Sequence, residues 1–90
     1  MYRVAMNSEL DQVVAYSDNW IAGHCDYQCN GKTLIINRVD VPERYVSQGV
    51  GDAIMHCLVD YAREQDCIVV PICSYASSWF RKNQDCRDLL

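Results

Sequence analysis

Only two prolines and four glycines interrupt this 90-residue chain, and no apolar run approaches the roughly 18 residues that a membrane-spanning helix needs. Half of the residues are hydrophobic and 22% are charged, which excludes collagen-like, low-complexity and disordered architectures. Basic residues are scarce as well: eight Lys and Arg stand against twelve Asp and Glu, for a formal charge of −4. A broad basic footprint for nucleic acid is missing, and the acidic groups are scattered without a run of like charge. Met1-Tyr2-Arg3 opens no signal-peptide core, so an unexported, cytoplasmic protein with no membrane partner is expected. At this length one domain over residues 1–90, with one small core, is the expectation.

What the chain does have is six cysteines. In a reducing compartment these remain thiols, and most fall where a small buried hydrophobe is wanted. Cys25 and Cys29 are three residues apart, with His24, His56 and Cys57 as further candidate ligands, but no pair of CxxC knuckles accompanies them. No metal is expected.

The first half reads in period two. Met1 to Asn7 and Gln12 to Tyr16 carry short apolar runs, and Ser17-Asp18-Asn19 is a turn signal. From Trp20 onward Ile21, Gly23, Cys25, Tyr27 and Cys29 alternate with His24, Asp26 and Gln28, the pattern of a half-buried strand. Asn30-Gly31 is a hairpin cue, and Thr33 to Ile36 with Val39 and Val41 supplies the returning strand, up to Pro42. The second half changes period. Val50, Ile54, Cys57, Leu58 and Tyr61 recur at helical spacing, so a helix from Gly49 to about Glu64 follows, with His56 on its solvated side. Ile68 to Ile72 predicts a buried strand parallel to the one before the helix, and Ser74 or Ser77 a cap for a short helix through Trp79 and Phe80. The fold class is therefore α+β or α/β: an antiparallel meander plus a βαβ crossover in one mixed sheet, closed by a short C-terminal helix.

Gln48-Gly49-Val50-Gly51 sits where the crossover helix starts. Backbone N–H groups converge at such a place, and the two glycines let an anionic ligand approach without a Cβ in the way. This turn, the strand ending Val39-Asp40-Val41-Pro42-Glu43, the Asp60-Tyr61-Ala62-Arg63 helix end, Val70-Pro71-Ile72-Cys73 and the terminal Asp88-Leu89-Leu90 follow one another in an order and spacing that resembles the short, single-domain members of the GNAT superfamily of N-acetyltransferases. The resemblance implies a minimal GNAT-like fold, acetyl-CoA as co-substrate, and an amine acceptor, either a small molecule or a protein lysine. It implies that the main chain of Val39, Asp40 and Val41 pairs with the pantetheine arm, and that the amides of Gln48, Gly49, Val50 and Gly51 hold the pyrophosphate. The thioester would lie in the splay between the strand before the helix and the strand ending at Cys73.

Acetyl transfer to an amine requires a deprotonated nucleophile, donors for the developing oxyanion and a proton for the departing thiolate. A main-chain N–H near Val41 is the candidate oxyanion donor. Tyr75 or Cys73 is the candidate acid, and Cys73, between a strand end and a helix start, is alternatively an acyl acceptor. His24 and Asp40 are candidate bases. The sequence also departs from the family pattern: with Gly49 and Gly51 on the signature's small positions, Val46 falls where Arg or Gln belongs. Ser47 stands where short relatives carry glycine, and Arg38-Val39 replaces a His-Thr pair. An N-acetyltransferase is the leading expectation; a catalytically silent GNAT-like module that binds a macromolecular partner through its acidic surface, as an inhibitor or regulator, is the alternative.

Overall fold

The computed structural model describes residues 2–90; Met1, which the sequence pattern placed in the first strand, lies outside them. Four strands, β1 (Arg3–Asn7), β2 (Gln12–Ser17), β3 (Trp20–Asn30) and β4 (Thr33–Asp40), form the antiparallel meander. Helix α1 (Val50–Gln65) then crosses over to β5 (Ile68–Pro71), which pairs parallel to β4 and completes a five-stranded sheet in the order β1-β2-β3-β4-β5. Helix α2 (Ser74–Lys82) and a 3-10 helix over Gln84–Leu89 follow. The mixed α+β fold expected from the periodicities is the one observed.

Turn chemistry fixes the registers. Asn7 Oδ1 accepts the N–H groups of Glu9 and Leu10, which turns the chain between β1 and β2. Asp18 supplies the positive φ of 55° between β2 and β3, and Gly31, at 64°, does so between β3 and β4. The β3–β4 hairpin closes on the Asn30–Thr33 pair, so its loop is Gly31-Lys32, one residue later than the Asn30-Gly31 cue.

One face of the sheet is covered. Val13, Ala15, Cys25, Tyr27, Leu34, Ile36 and Val69 share that face by register, and all are buried. Helix α1 packs across β1, β2 and β3 while α2 packs over β4 and β5, and the two helices touch each other. On the other face His24, Asp26, Ile35 and Val70 have no helix above them.

The structure departs from the sequence pattern at four places. β5 is an edge strand: Val69 is buried, but Ile68 is 54% and Val70 41% exposed, because helices cover only one side of the apolar run. The buried stripe of α1 is rotated from the expected one. Met55, Val59 and Ala62 are in the core, whereas Cys57 and Tyr61 are half-buried along an open groove beside β1. Residues 43–48, which carry no helical periodicity, wind into a 3-10 helix (Glu43–Gln48) behind Pro42. In β3 the buried position slips from Ile21 to Ala22, since a bulge at Ala22 leaves it without a partner between the pairs Ala15–Gly23 and Tyr16–Ile21.

Candidate functional site

The site forms where β4 and β5 stop pairing. Their last register pair is Ile36–Pro71, and the Ile36 carbonyl then accepts both the Ile72 N–H at 3.0 Å and the Cys73 N–H at 3.4 Å. Beyond that point the strands part, and β4 carries a bulge: Asp26 pairs with Arg38 and Tyr27 with Ile36, leaving Asn37 extra. The extra residue reverses the side-chain alternation. Without it Val39 and Val41 would point away from Leu34 and Ile36; with it they turn to the helix-covered side and pack against the core. The Asp40 carbonyl lies 3.2 Å from where a Cβ on Gly23 would stand, so it faces β3, and strand alternation leaves the Val39 and Val41 main chain facing the parting.

Val39, Val41, Val46, Gly51 and Tyr75 line a cleft of about 170 Å³ at this parting. Of the residues predicted from sequence to flank a ligand, Val39, Val41, Gly51 and Tyr75 line this cleft, together with Val46. Gly49 ends the 3-10 helix and starts α1 with a φ of 81°, and nothing lies within 4 Å of the position its Cβ would occupy. That is an open, left-handed backbone beside a helix N-terminus. Gly51 is more crowded: it lines the cleft, and a Cβ there would run into the Tyr75 hydroxyl. Val50 gives only its main chain, since its side chain is wholly buried against Gly23 and the core. The Gln48 side chain is tied down locally, donating to the Arg44 carbonyl at 3.1 Å and accepting from the Tyr2 hydroxyl.

Cys73 is the residue that caps α2, in place of the Ser74 or Ser77 expected: its Sγ accepts the Ala76 N–H at 3.4 Å. Tyr75 is 41% exposed, and burial of its phenol, followed by the Asp52 and Cys73 charges, pushes its pKa up from the usual 10.0. It therefore keeps its proton through neutral pH. Behind the site the Cys25 thiol is pushed up to about 12 by burial, with Cys73 and Asp26 adding to the shift. His24 and Asp40, the candidate bases, pair with each other across β3 and β4 on the uncovered face, where His24 Nε2 lies 3.8 Å from Asp26 Oδ2 and an Arg38 nitrogen 3.8 Å from Asp40 Oδ2. They are on the opposite side of β4 from the lining valines.

Sequence reasoning missed one polar cluster next to the cleft. Trp79 Nε1 donates to Asp52 Oδ1 at 2.8 Å, His56 Nε2 is 3.4 Å from Asp52 Oδ2, and the His56 ring meets the Trp79 ring edge-on at 5.3 Å. The i, i+4 spacing of Asp52 and His56 is visible in sequence, but the tertiary partner is not. Among the described residues no group of three His, Cys, Asp or Glu side chains is placed to hold a metal ion, and the six cysteines are free thiols.

A mixed sheet whose parallel strands part beside a helix N-terminus, with a thiol and a phenol at the parting, makes this an α+β domain with an open cleft. Residues 12–89 match the family model of the GCN5-related N-acetyl-transferases, and the chain belongs to that family. Among solved structures, a GCN5-like protein from Staphylococcus aureus studied in solution superposes with a TM-score of 0.77 at 19% identity, over 97% of this chain and 85% of that one. Ard1 from Thermoplasma volcanium gives 0.68 at 22% identity, over 81% of this chain and 53% of its own. N-acetylglutamate synthase from Neisseria gonorrhoeae, solved with coenzyme A and N-acetyl-glutamate, gives 0.69 at 14% identity, over 81% of this chain and 18% of its own. At these identities the likeness is one of fold. No curated protein matches the chain.

Proposed function

We propose that the chain is an N-acyltransferase that takes acetyl-CoA as donor and an amine as acceptor. The observation that carries this reading is the coincidence, at one parting of strands, of an open glycine backbone, a narrow valine-lined cleft and the Tyr75 phenol. The cleft fits a thin, largely apolar arm, and the unpaired main chain of Val39 and Val41 offers strand-like hydrogen bonds to an amide-bearing one. The amides at Gly49, Val50 and Gly51 suit an anion at the helix start, with no side chain in front of Gly49. A bound acyl-CoA supplies an activated thioester.

Around it, this chain's residues have separable tasks. Tyr75, kept protonated by its surroundings, is the group that gives a proton to a departing thiolate. Cys73 is the second reactive group at that end, its sulfur oriented by the Ala76 N–H.

Native mass spectrometry of the pure protein with acetyl-CoA, followed by turnover assays on a panel of amines, tests the proposal. A one-to-one complex is expected for the wild type. Tyr75→Phe should keep that complex and the fold while losing about 100-fold or more in turnover, the usual worth of a positioned acid. Cys73→Ala should lose activity and show no acetylated protein if the thiol is an acyl acceptor, and retain turnover if it only caps α2. Absence of any acetyl-CoA complex with a folded wild type would overturn the proposal in favour of a partner-binding module.

A further inference from the structure

A groove of about 540 Å³ lies between β1 and α1 and shares no lining residue with the cleft. Its floor is apolar. Val4 and Met6 reach it from the helix-covered face of β1, and the rotated stripe of α1 leaves Cys57 and Tyr61 half-buried along it. Asp60 and Glu64, both exposed, stand on its helix side. Neither takes part in an ion pair among the described residues, and the one basic group of the groove, His56, is turned to Asp52 Oδ2 at 3.4 Å. The outer side of β1 is open as well. β1 ends the sheet, no described strand pairs with that side, and the strand carries neither a proline nor a bulge, unlike the opposite edge with its Pro71.

We propose that this edge and groove dock an extended, basic segment of a partner protein, which adds a strand beside β1 and lays Lys or Arg side chains over the groove. Main-chain bonds to the open edge supply affinity, and the carboxylates select a basic segment over an acidic one. The spacing fits. Asp60 and Glu64 stand one helical turn apart, about 6 Å along α1, and alternate side chains on one face of a strand are about 6.6 Å apart. Basic residues at every second position therefore reach the two carboxylates in turn, while their aliphatic stems cover the apolar floor. Direction fits too. The Tyr2 hydroxyl, just ahead of β1, donates to Gln48, just ahead of α1, and the strand registers set β1 antiparallel to β4, so strand and helix start together and lead away from the 3-10 helix. A second copy pairing through its own β1 brings no cation to this rim, because Arg3 lies on the uncovered face over the Tyr16 ring. The inference is independent of the acyl-CoA reading.

Three capped peptides, titrated at low ionic strength into the isotope-labelled wild type, test this: one of alternating Lys and Thr, one of alternating Glu and Thr, and one with the same Lys and Thr in two blocks. Only the alternating Lys peptide should shift the amides of β1 and of residues 57–64 in α1, saturably, with Gly49 unmoved. N-methylation of that peptide at one alternate set of residues should abolish binding and at the other set spare it, since only every second N–H of an added strand faces β1. Asp60→Lys combined with Glu64→Lys, on the exposed side of a helix, should keep the fold and weaken the peptide about tenfold or more, because two attractions become two repulsions. Absence of shifts with the alternating Lys peptide, equal binding of the acidic or the block peptide, or undiminished affinity in the folded charge-reversed variant would overturn the proposal. So would an equal effect of the two methylation patterns, or a free protein already dimeric through β1. None of these results bears on the acyl-CoA cleft.

Discussion

Val46 is where the residues and the family pattern disagree most. Its side chain is 64% exposed and lines the cleft, so the position that the signature reserves for Arg or Gln does face the proposed ligand. Val46→Arg should therefore fit without disturbing the core. It should tighten acetyl-CoA binding about tenfold or more at low salt, by adding a charge-assisted hydrogen bond, and the gain should shrink as ionic strength rises. Calorimetry over a salt series checks both parts. The neighbouring glycines show how far single residues are legible. The turn at Gly49 was legible as a turn at a helix start, because a left-handed backbone leaves a local mark in sequence. Gly51 was given the same reason, and its contact with Tyr75 was not legible, since that partner is remote in the chain and no local pattern announces it.

Among the elements, the bulge at Asn37 matters most to the site, and it was not legible. Strand alternation alone puts Val39 and Val41 on the face away from Leu34 and Ile36, and only the two registers against β3 reveal the reversal. The meander, the crossover and α1 were legible because each spans a full period of apolar residues or a turn cue. β5 was legible as a strand and not as an edge, because an apolar run does not tell how many of its faces are covered. Pro71 on that edge is consistent with a strand that does not recruit a neighbour. The contact between α1 and α2 through Asp52 and Trp79 yields a prediction at this scale. Asp52→Ala leaves a nearly buried indole N–H without its acceptor, and should cost about 1–3 kcal/mol of unfolding free energy. Denaturant titration checks this. Asp52→Asn, which keeps an acceptor oxygen, should lose less.

At the scale of the whole molecule, three of the six thiols, Cys25, Cys67 and Cys86, are buried, and burial of ionisable groups gives stability a direction with pH. Cys25 has a pKa of about 12 when folded against 9.0 for an ordinary thiol, chiefly through burial. The unfolded chain thus releases this proton first. The contribution to stability is complete below about pH 9 and is lost as pH rises from there toward 12. Burial also raises Tyr27, Cys57, Cys67 and Tyr75, which act in the same sense. Melting temperature should fall steeply above about pH 9, and Cys25→Ala, though less stable at neutral pH, should show a shallower fall. At this scale composition was silent where it concerned the site. Net charge does not reveal that one of the few cations, Lys82, lies beside the cleft.

The central claim is that the parting of β4 and β5 binds acetyl-CoA, and an amide-resolved NMR titration of the wild type tests it most directly. On adding acetyl-CoA, the N–H resonances of Val39, Val41, Gly49, Val50 and Gly51 should shift together and saturate at one equivalent, with the β1–β2 hairpin unmoved. A folded protein whose spectrum stays unchanged up to millimolar acetyl-CoA, or whose shifts gather on the uncovered sheet face and spare the glycine turn, would contradict the account.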